Sequence, residues 1–403
     1  MKLKLGSNAI TAREKNISLI VKLLNKYGVC SRANLASYTG LTQASITYIT
    51  KELIDCGLIH EVGVIEGATR HPSIGLRISP HKYVLLGTQL NRDYIHVGLF
   101  TLSGEILQKK TFQYDKPEKP EIMLDQMLDS MHDIIQQIPE HMVLLGGGAA
   151  LPGLFLPSQG KIEMMSGAPG WSKMNISRRI SEMYDIPFVL EHDANCGALA
   201  ELWSGNVDTG KDILYVNIAD GIGAGLICNG KLYRGTLGTA GEIGHMSLNF
   251  NGPRCDCGNR GCMELYCSLK KLKQDYDEIL FESGEEAAES TTARDILQLA
   301  CAKDPIACRA LEKSTAYLGL GLANLVNILN PSTIILADRF AEAGETLVEL
   351  TSQHMRKHLL SPLADSVEIR LTSGPQDTII MRGATISMLE QLLKTPTETF
   401  GMR

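Results

Sequence analysis

Apolar positions in the first sixty residues recur at helical spacing. Ile17, Ile20, Val21 and Leu24 share one face and the run stops at Tyr27-Gly28, which predicts a first helix ending there. Ser31 is placed to cap a short second helix through "RANLASYTG", closed by Gly40, and Thr42 to cap a third through "QASITYITKELIDCG". In that third helix Ile46, Ile49, Leu53 and Ile54 form an apolar stripe, leaving Gln43, Ser45, Thr47, Tyr48 and Lys51 to face outward. Two short helices joined by a tight turn containing glycine predict a helix-turn-helix. The next stretch, "LIHEVGVIEGATRHPSIGLRIS", reads as two strands around an exposed tip that holds Arg70 and His71.

From Tyr83 the period changes. "YVLLGTQL", "YIHVGLFT" and "ILQKKTF" alternate with turn residues and predict a three-stranded meander, and a similar unit returns about 130 residues later as "ILYVNIAD", "GAGLICNG" and "KLYRG". An internal repeat at this scale predicts two related α/β lobes facing a cleft. Helices are expected over 121–137, 193–203 and 306–329, with buried strands at "MVLLGGG" and "TIILAD".

Charge separates the two parts. Residues 1–80 hold ten basic and five acidic side chains, a net of +5; the remaining 29 basic and 40 acidic residues leave −11, within a total of −6 over 403 residues. A basic head on an acidic body confines any polyanion to the head. A winged helix-turn-helix there would set Gln43, Ala44, Ser45 and Thr47 near base edges, with Thr42 and Tyr48 beside them, and Lys51, Arg70 and His71 near phosphates. The alternative is a trihelical protein-binding or dimerising module. Apolar content of 44% excludes a disordered or fibrous chain. No apolar run reaches the ~18 residues of a membrane span, and "MKLKLGSNAITAREKN" has no long apolar stretch of the kind a secretion signal needs. A cytoplasmic protein without membrane insertion is the expectation.

In such a protein ten cysteines read as reduced thiols or metal ligands, not disulfides. Cys30, Cys56, Cys196, Cys228, Cys267, Cys301 and Cys308 are scattered and expected to be small core residues. The other three form a set with His245: nine residues, Cys255, one residue, Cys257, four residues, Cys262. One nitrogen and three sulfur ligands fit a closed tetrahedral Zn²⁺ site, structural because no position is left open for an activated water. Gly252, Pro253, Gly258 and Gly261 are suited to wrapping an ion; reduced cysteines beside a chance histidine are the alternative.

"LEHDANCGALAELW", "DGIGAGLI", "GTAGEIGH" and "CDCGNRGCME", in this order, resemble the ROK family of sugar kinases and sugar-responsive transcriptional repressors. The resemblance runs from about Tyr83 to the C-terminus, and the basic head resembles the winged helix-turn-helix of the repressor branch. It implies a two-lobed, actin-like (ribonuclease-H-like) α/β sugar-kinase fold: the DNA-binding domain at 1–80, a first lobe at 81–195 and 380–403, and a second lobe with the zinc motif at 196–379. It also implies a sugar-binding set of His192, Asp193, Glu242, His245 and Glu264, with Asn195, Gly167 and Ala168 as lesser candidates. In kinases of the family Asp193 would be the catalytic base; here it is expected to accept sugar hydroxyls, or else to cap the helix that follows.

The nucleotide end departs from the kinase pattern. Where kinases carry Asp-x-Gly-Gly-Thr, this chain has Gln89-Leu90-Asn91-Arg92-Asp93, and "LADRFAEAG" stands where they show consecutive glycines. Close backbone approach to phosphate wants glycine and no added negative charge. "DGIGAG" keeps its glycines, which a tight hairpin would also require. The expected function is therefore a non-enzymatic regulator, most simply a repressor. It would bind a palindromic operator as a homodimer or tetramer, with a sugar or sugar phosphate in the cleft. An ATP-dependent sugar kinase and a sensor released by a protein inducer are the rivals.

Overall fold

The computed structural model describes residues 9–65, 72–114, 118–208, 210–284 and 290–402. The head is built as the spacing predicts. Helices α1 (Ala9–Tyr27), α2 (Arg32–Thr39) and α3 (Gln43–Asp55) pack with a small sheet of β1 (Cys30–Ser31), β2 (Ile59–Ile65) and β3 (Ser73–Ile78) in the order β1-β3-β2. Ser31 caps α2 in a reciprocal box with Asn34, Gly40 closes that helix in the left-handed region at φ 70°, and Thr42 caps α3.

The body contains two five-stranded sheets. The first comprises β4 (Tyr83–Leu90), β5 (Tyr94–Thr101), β6 (Ile106–Gln113), β7 (Val143–Leu151) and β10 (Phe188–His192), with α4 (Pro120–Gln136), the hairpin β8 (Leu154–Leu156) and β9 (Lys161–Met164), and α5 (Ile176–Met183) inserted between its later strands. Helix α6 (Asp193–Trp203) leads to the second, made of β11 (Ile213–Ile218), β12 (Ile222–Cys228), β13 (Lys231–Tyr233), β14 (Thr333–Ala337) and β15 (Glu368–Leu371). Helices α7 (Glu264–Cys267), α8 (Leu269–Glu282), α9 (Ala293–Cys301), α10 (Pro305–Leu329), α11 (Gly344–Arg356) and α12 (Ser361–Ala364) surround that sheet. Helices α13 (Gln376–Leu392) and α14 (Pro396–Thr399) end the chain.

Spatial order is β6-β5-β4-β7-β10 in one sheet and β13-β12-β11-β14-β15 in the other, each an antiparallel meander extended by two parallel strands. The repeat seen along the chain is thus a repeat of topology. The two linking helices exchange sides: α6 follows the first sheet and packs on the second, while α13 follows the second and packs on the first. They meet at Gly383, where any Cβ would overlap the Cys196 carbonyl, and Gly148 of β7 lies as closely under the Ala384 carbonyl.

One hydrophobic core joins head and body. Ile17, Ile20, Val21 and Leu24 of α1 belong to the same buried cluster as Cys196, Leu199 and Trp203 of α6 and Ile386 and Leu389 of α13. Lys22 lies 5.5 Å over the Trp203 ring and pairs with Glu390 at 3.8 Å, Glu14 accepts hydrogen bonds from Thr397, and Lys82 and Tyr83 donate to the Cys56 carbonyl. No described helix is long and apolar enough to cross a membrane. Of the seven scattered cysteines, Cys30, Cys196 and Cys267 are fully buried and Cys56, Cys228 and Cys308 half-buried, whereas Cys301 is exposed at the end of α9.

Because both helices are fixed by their sheets, Gly383→Ala has nowhere to relax. It should cost about 1–3 kcal/mol of stability, read from denaturant unfolding; an unchanged midpoint would mean that the crossing can open without loss.

Candidate functional site

A cleft opens where β10 hands over to α6, between the two sheets. His192 and Asp193 form the first turn of α6, so its backbone N–H groups and positive dipole end face the cleft. Asp193 Oδ1 accepts from Ala194 N–H at 2.6 Å and its Oδ2 from Asn217 Nδ2 at 3.4 Å; His192 Nε2 lies 3.5 Å from Asp193 and 4.0 Å from Glu242. His192 is the residue at the cap position, and Asp193 is the first residue of the helix. Gly223 and Gly225 of "DGIGAG" lie on β12 beneath this turn, where a side chain would strike His192 or the Ala194 carbonyl; the tight turn itself is at Ala219–Gly221. These glycines serve a close helix-on-strand approach.

Glu242 and His245 come from the short turn around Ile243–His245, and Glu264 begins α7. Burial raises the Glu242 carboxyl, against the opposing pull of His192 and His245. All five expected sugar residues line one cavity, which they share with Asn217, Asp220, Asp338, Arg339, Arg92 and Ser166. Two buried polar atoms in its wall, His192 Nδ1 and Asn217 Oδ1, have no hydrogen-bond partner. Such atoms are costly unless a ligand or water meets them, and paired carboxylates, amide and imidazole suit hydroxyls that both donate and accept.

The lesser candidates divide. Asn195 points away and donates to Glu191 at 2.9 Å, which in turn accepts from Arg234 at 2.8 Å. Gly167 and Ala168 line a neighbouring cavity, while the preceding residue, Ser166, reaches Glu264 Oε1 at 3.5 Å.

At the opposite end of the cleft the two altered nucleotide segments meet. Arg339 donates to both Asp93 oxygens, at 3.0 and 2.8 Å, and lies 5.4 Å over the Tyr94 ring, whose hydroxyl accepts from Gln89. The ion pair spans the turn after β4 on one sheet and the turn after β14 on the other. Next to it Asp338 sits at φ 67°, its carboxylate accepting from Arg339 N–H. Burial, with Asp193 and Asp220 adding like charge and Arg339 opposing them, pushes the Asp338 carboxyl up to about 7.

Behind His245 the ligand atoms of His245, Cys255, Cys257 and Cys262 all lie within 4.8 Å of one another. His245 Nδ1 is 3.7 Å from Cys255 Sγ, and Cys257 Sγ is 3.6 Å from Cys262 Sγ. The edge of a tetrahedron with Zn–S bonds of about 2.3 Å is about 3.8 Å, so the set fits a metal ion. The loop is shaped by bridges Ser247–Cys262 and Arg254–Arg260, and by Gly261, at φ 64° and pressed against the Asn249 carbonyl. Glu264 Oε1 lies 3.7 Å from His245 Nδ1 and 3.4 Å from Cys255 Sγ, so cluster and cleft share a wall.

In the head, Thr42, Gln43, Ala44, Ser45, Thr47, Tyr48 and Lys51 are all exposed on one face of α3, with Ile46, Ile49, Thr50 and Leu53 buried behind them. Arg70 and His71 lie outside the described residues.

Residues 85–391 match the ROK family model. The chain belongs to the ROK family. It is 32% identical over 366 residues to the xylose repressor of Bacillus subtilis (strain 168), covering 91% of this chain and 92% of that protein. It is 28% identical over 347 residues to the DNA-binding transcriptional dual regulator NagC of Escherichia coli (strain K12), covering 85% and 84%. A crystal structure of a ROK family transcriptional regulator, a homologue of the Escherichia coli MLC protein, superposes with a TM-score of 0.79 at 26% identity, covering 97% of this chain and 99% of that one. A ROK family glucokinase from Streptomyces griseus shares the fold with a TM-score of 0.66 at 21% identity, covering 75% of this chain and 98% of that one. The α/β, two-lobed ROK fold behind a helix-turn-helix head is therefore established.

Asn217, Asp220, Asp338 and Ser166 are cleft residues that the sequence reading did not name. Asn217, Asp220 and Asp338 carried a usable signal, polar residues ending predicted strands, and Asp338 lies in the "LADRFAEAG" segment already singled out.

The raised Asp338 pKa has a definite sign. Between its ordinary value of 3.8 and about 7 the native protein binds a proton that the unfolded chain has released, so stability falls as pH rises through that window. Asp338→Asn should flatten this part of the profile and exceed the wild type in thermal midpoint at pH 8; parallel profiles for the two proteins would overturn the assignment.

Proposed function

We propose that the chain is a sugar-responsive transcriptional repressor that binds operator DNA through α3 and the wing and takes a sugar in the interlobe cleft. The observation that carries this reading is the joining, in one hydrophobic core, of an exposed polar recognition face and a cleft whose wall has unpaired buried donors and acceptors. Similarity to the xylose repressor extends over 91% of the chain, so xylose is the first effector to test.

Coupling requires that sugar and DNA favour different arrangements. Helix α6 is suited to carry it: its first residue, Asp193, faces the sugar, and its last, Trp203, packs against α1 of the head. In a homodimer on a palindrome the half-sites lie one helical turn apart, about 34 Å, so a small displacement of each head spoils register.

A zinc ion held by His245, Cys255, Cys257 and Cys262 would supply structure and no reaction chemistry. His245 and Glu264 would then be positioned partly by the metal site and partly by the cleft. Phosphoryl transfer is not expected, because Asn91 and Arg92 stand where kinases of the family carry the two phosphate-cradling glycines, and Asp93, in place of their Thr, is held by Arg339.

Fluorescence anisotropy on DNA from upstream of the chain's own gene tests the reading. Salt-sensitive, sequence-selective binding should be released by xylose or another sugar, and Asp193→Asn should keep the DNA affinity while losing the release. Selective binding that no sugar disturbs would replace the sugar by a protein inducer, and no selective binding together with sugar phosphorylation that Asp193→Asn abolishes would replace the repressor by a kinase. Metal stripping should both lower the thermal midpoint and weaken sugar binding; a chelator that does neither, with metal analysis confirming removal, would refute the structural role.

A further inference from the structure

A second crevice, of about 410 Å³, lies between the head and the first lobe and shares no lining residue with the sugar cleft. Its walls come from four elements: Asn25 at the end of α1, Arg77 and Ile78 of β3, Gly104 and Glu105 of the β5–β6 turn, and Arg382 of α13.

Its donors lack partners. Arg382 Nε is buried without a hydrogen bond, and so is Asn25 Nδ2. Among the described residues no carboxylate pairs with either Arg382 or Arg77. Burial acts against the Arg382 charge, and the Glu201 field that supports it comes from a carboxylate already engaged by Arg370, Thr372 and Ser373. Gly104 lies flat against the guanidinium, where any Cβ would collide with it. Arg382 is half-buried with its Nε shielded from solvent; a partly desolvated cation without an anion is costly, and the guanidinium therefore calls for a complementary charge from outside the chain. Glu105 sits exposed on the rim, so the lining charge is still positive in a chain whose total is −6.

We propose that this crevice binds the phosphoryl group of a small phosphorylated metabolite, gripped by Arg382 and Arg77 with Asn25 donating, and that occupation fixes the head against the first lobe. Guanidinium forks match phosphate oxygens in pairs, and a crevice of this size has room for more than the phosphate. The binding stands independently of the function proposed above; its effect on DNA rests on that reading.

Titration calorimetry of the full chain with inorganic phosphate, glucose 6-phosphate and glucose, at matched ionic strength in chloride, tests the site. Phosphate and glucose 6-phosphate should bind once per chain at this crevice, and the tighter of the two identifies which source the site is built for. Arg382→Gln and the exposed-side variant Arg77→Gln should each weaken them by about 10- to 100-fold, the loss of one or two charge-assisted hydrogen bonds. Asp193→Asn, in the other cleft, should leave this phosphate binding unchanged. No saturable phosphate binding up to tens of millimolar, or binding undiminished in both arginine variants, or binding lost in Asp193→Asn, would overturn the site. With phosphate bound, operator affinity should shift in the wild type and not in Arg77→Gln; an operator affinity unmoved by saturating phosphate would overturn the coupling while leaving the site in place.

Discussion

The crossing of α6 and α13 is the constraint on which the rest of the molecule depends. Two twisted sheets face each other with these helices between them, and the helices can touch only because Gly383 lets one backbone reach the other's carbonyl. Each helix belongs by sequence to one sheet and by packing to the other. The lobes therefore cannot separate without unpacking a helix from its sheet. Close-packed interiors transmit displacements because they lack the free volume to absorb them.

Helix α6 joins the cleft to the head. The N-terminal turn brings His192 and Asp193 to the cleft, and the C-terminal turn brings Trp203 to the head, ten residues beyond Asp193 and about 15 Å further on at 1.5 Å per residue. All 11 residues of the helix are buried. Helix α13 adds a parallel connection, with Ala384 on the first sheet and Glu390 at Lys22 of α1. The first turn of α6, at the cleft, is thus connected through one buried helix to the domain that presents α3.

Electrostatics at the other end of the cleft serve a different purpose. The segments that would cradle a nucleotide in a kinase instead join to each other through Arg339 and Asp93, both part-exposed. A pair of this kind is worth about 1 kcal/mol or less, so it sets the relative position of the lobes more than it adds stability. It also fills the cleft with a carboxylate where a phosphate would need donors. The cysteine loop constrains the remaining wall, since His245 belongs to both the ligand cluster and the cleft.

Local patterns are legible along the chain because their physics is local. Caps at Ser31 and Thr42, the span of α6, the repeated meanders and the spacing of His245 with three cysteines all follow from neighbours a few residues apart, and so does the loss of glycine at 89–93. The family resemblance supplied His192, Asp193, Glu242 and Glu264, which no spacing rule would have joined. Tertiary structure alone brought Asn217 and Asp338 beside Asp193, paired Asp93 with Arg339 across 246 residues of chain, turned Asn195 towards Glu191, and left Arg382 and Asn25 without partners. These depend on how two sheets and two crossing helices pack, a condition set by volume and distance between segments remote in sequence, and no residue carries it in its local surroundings.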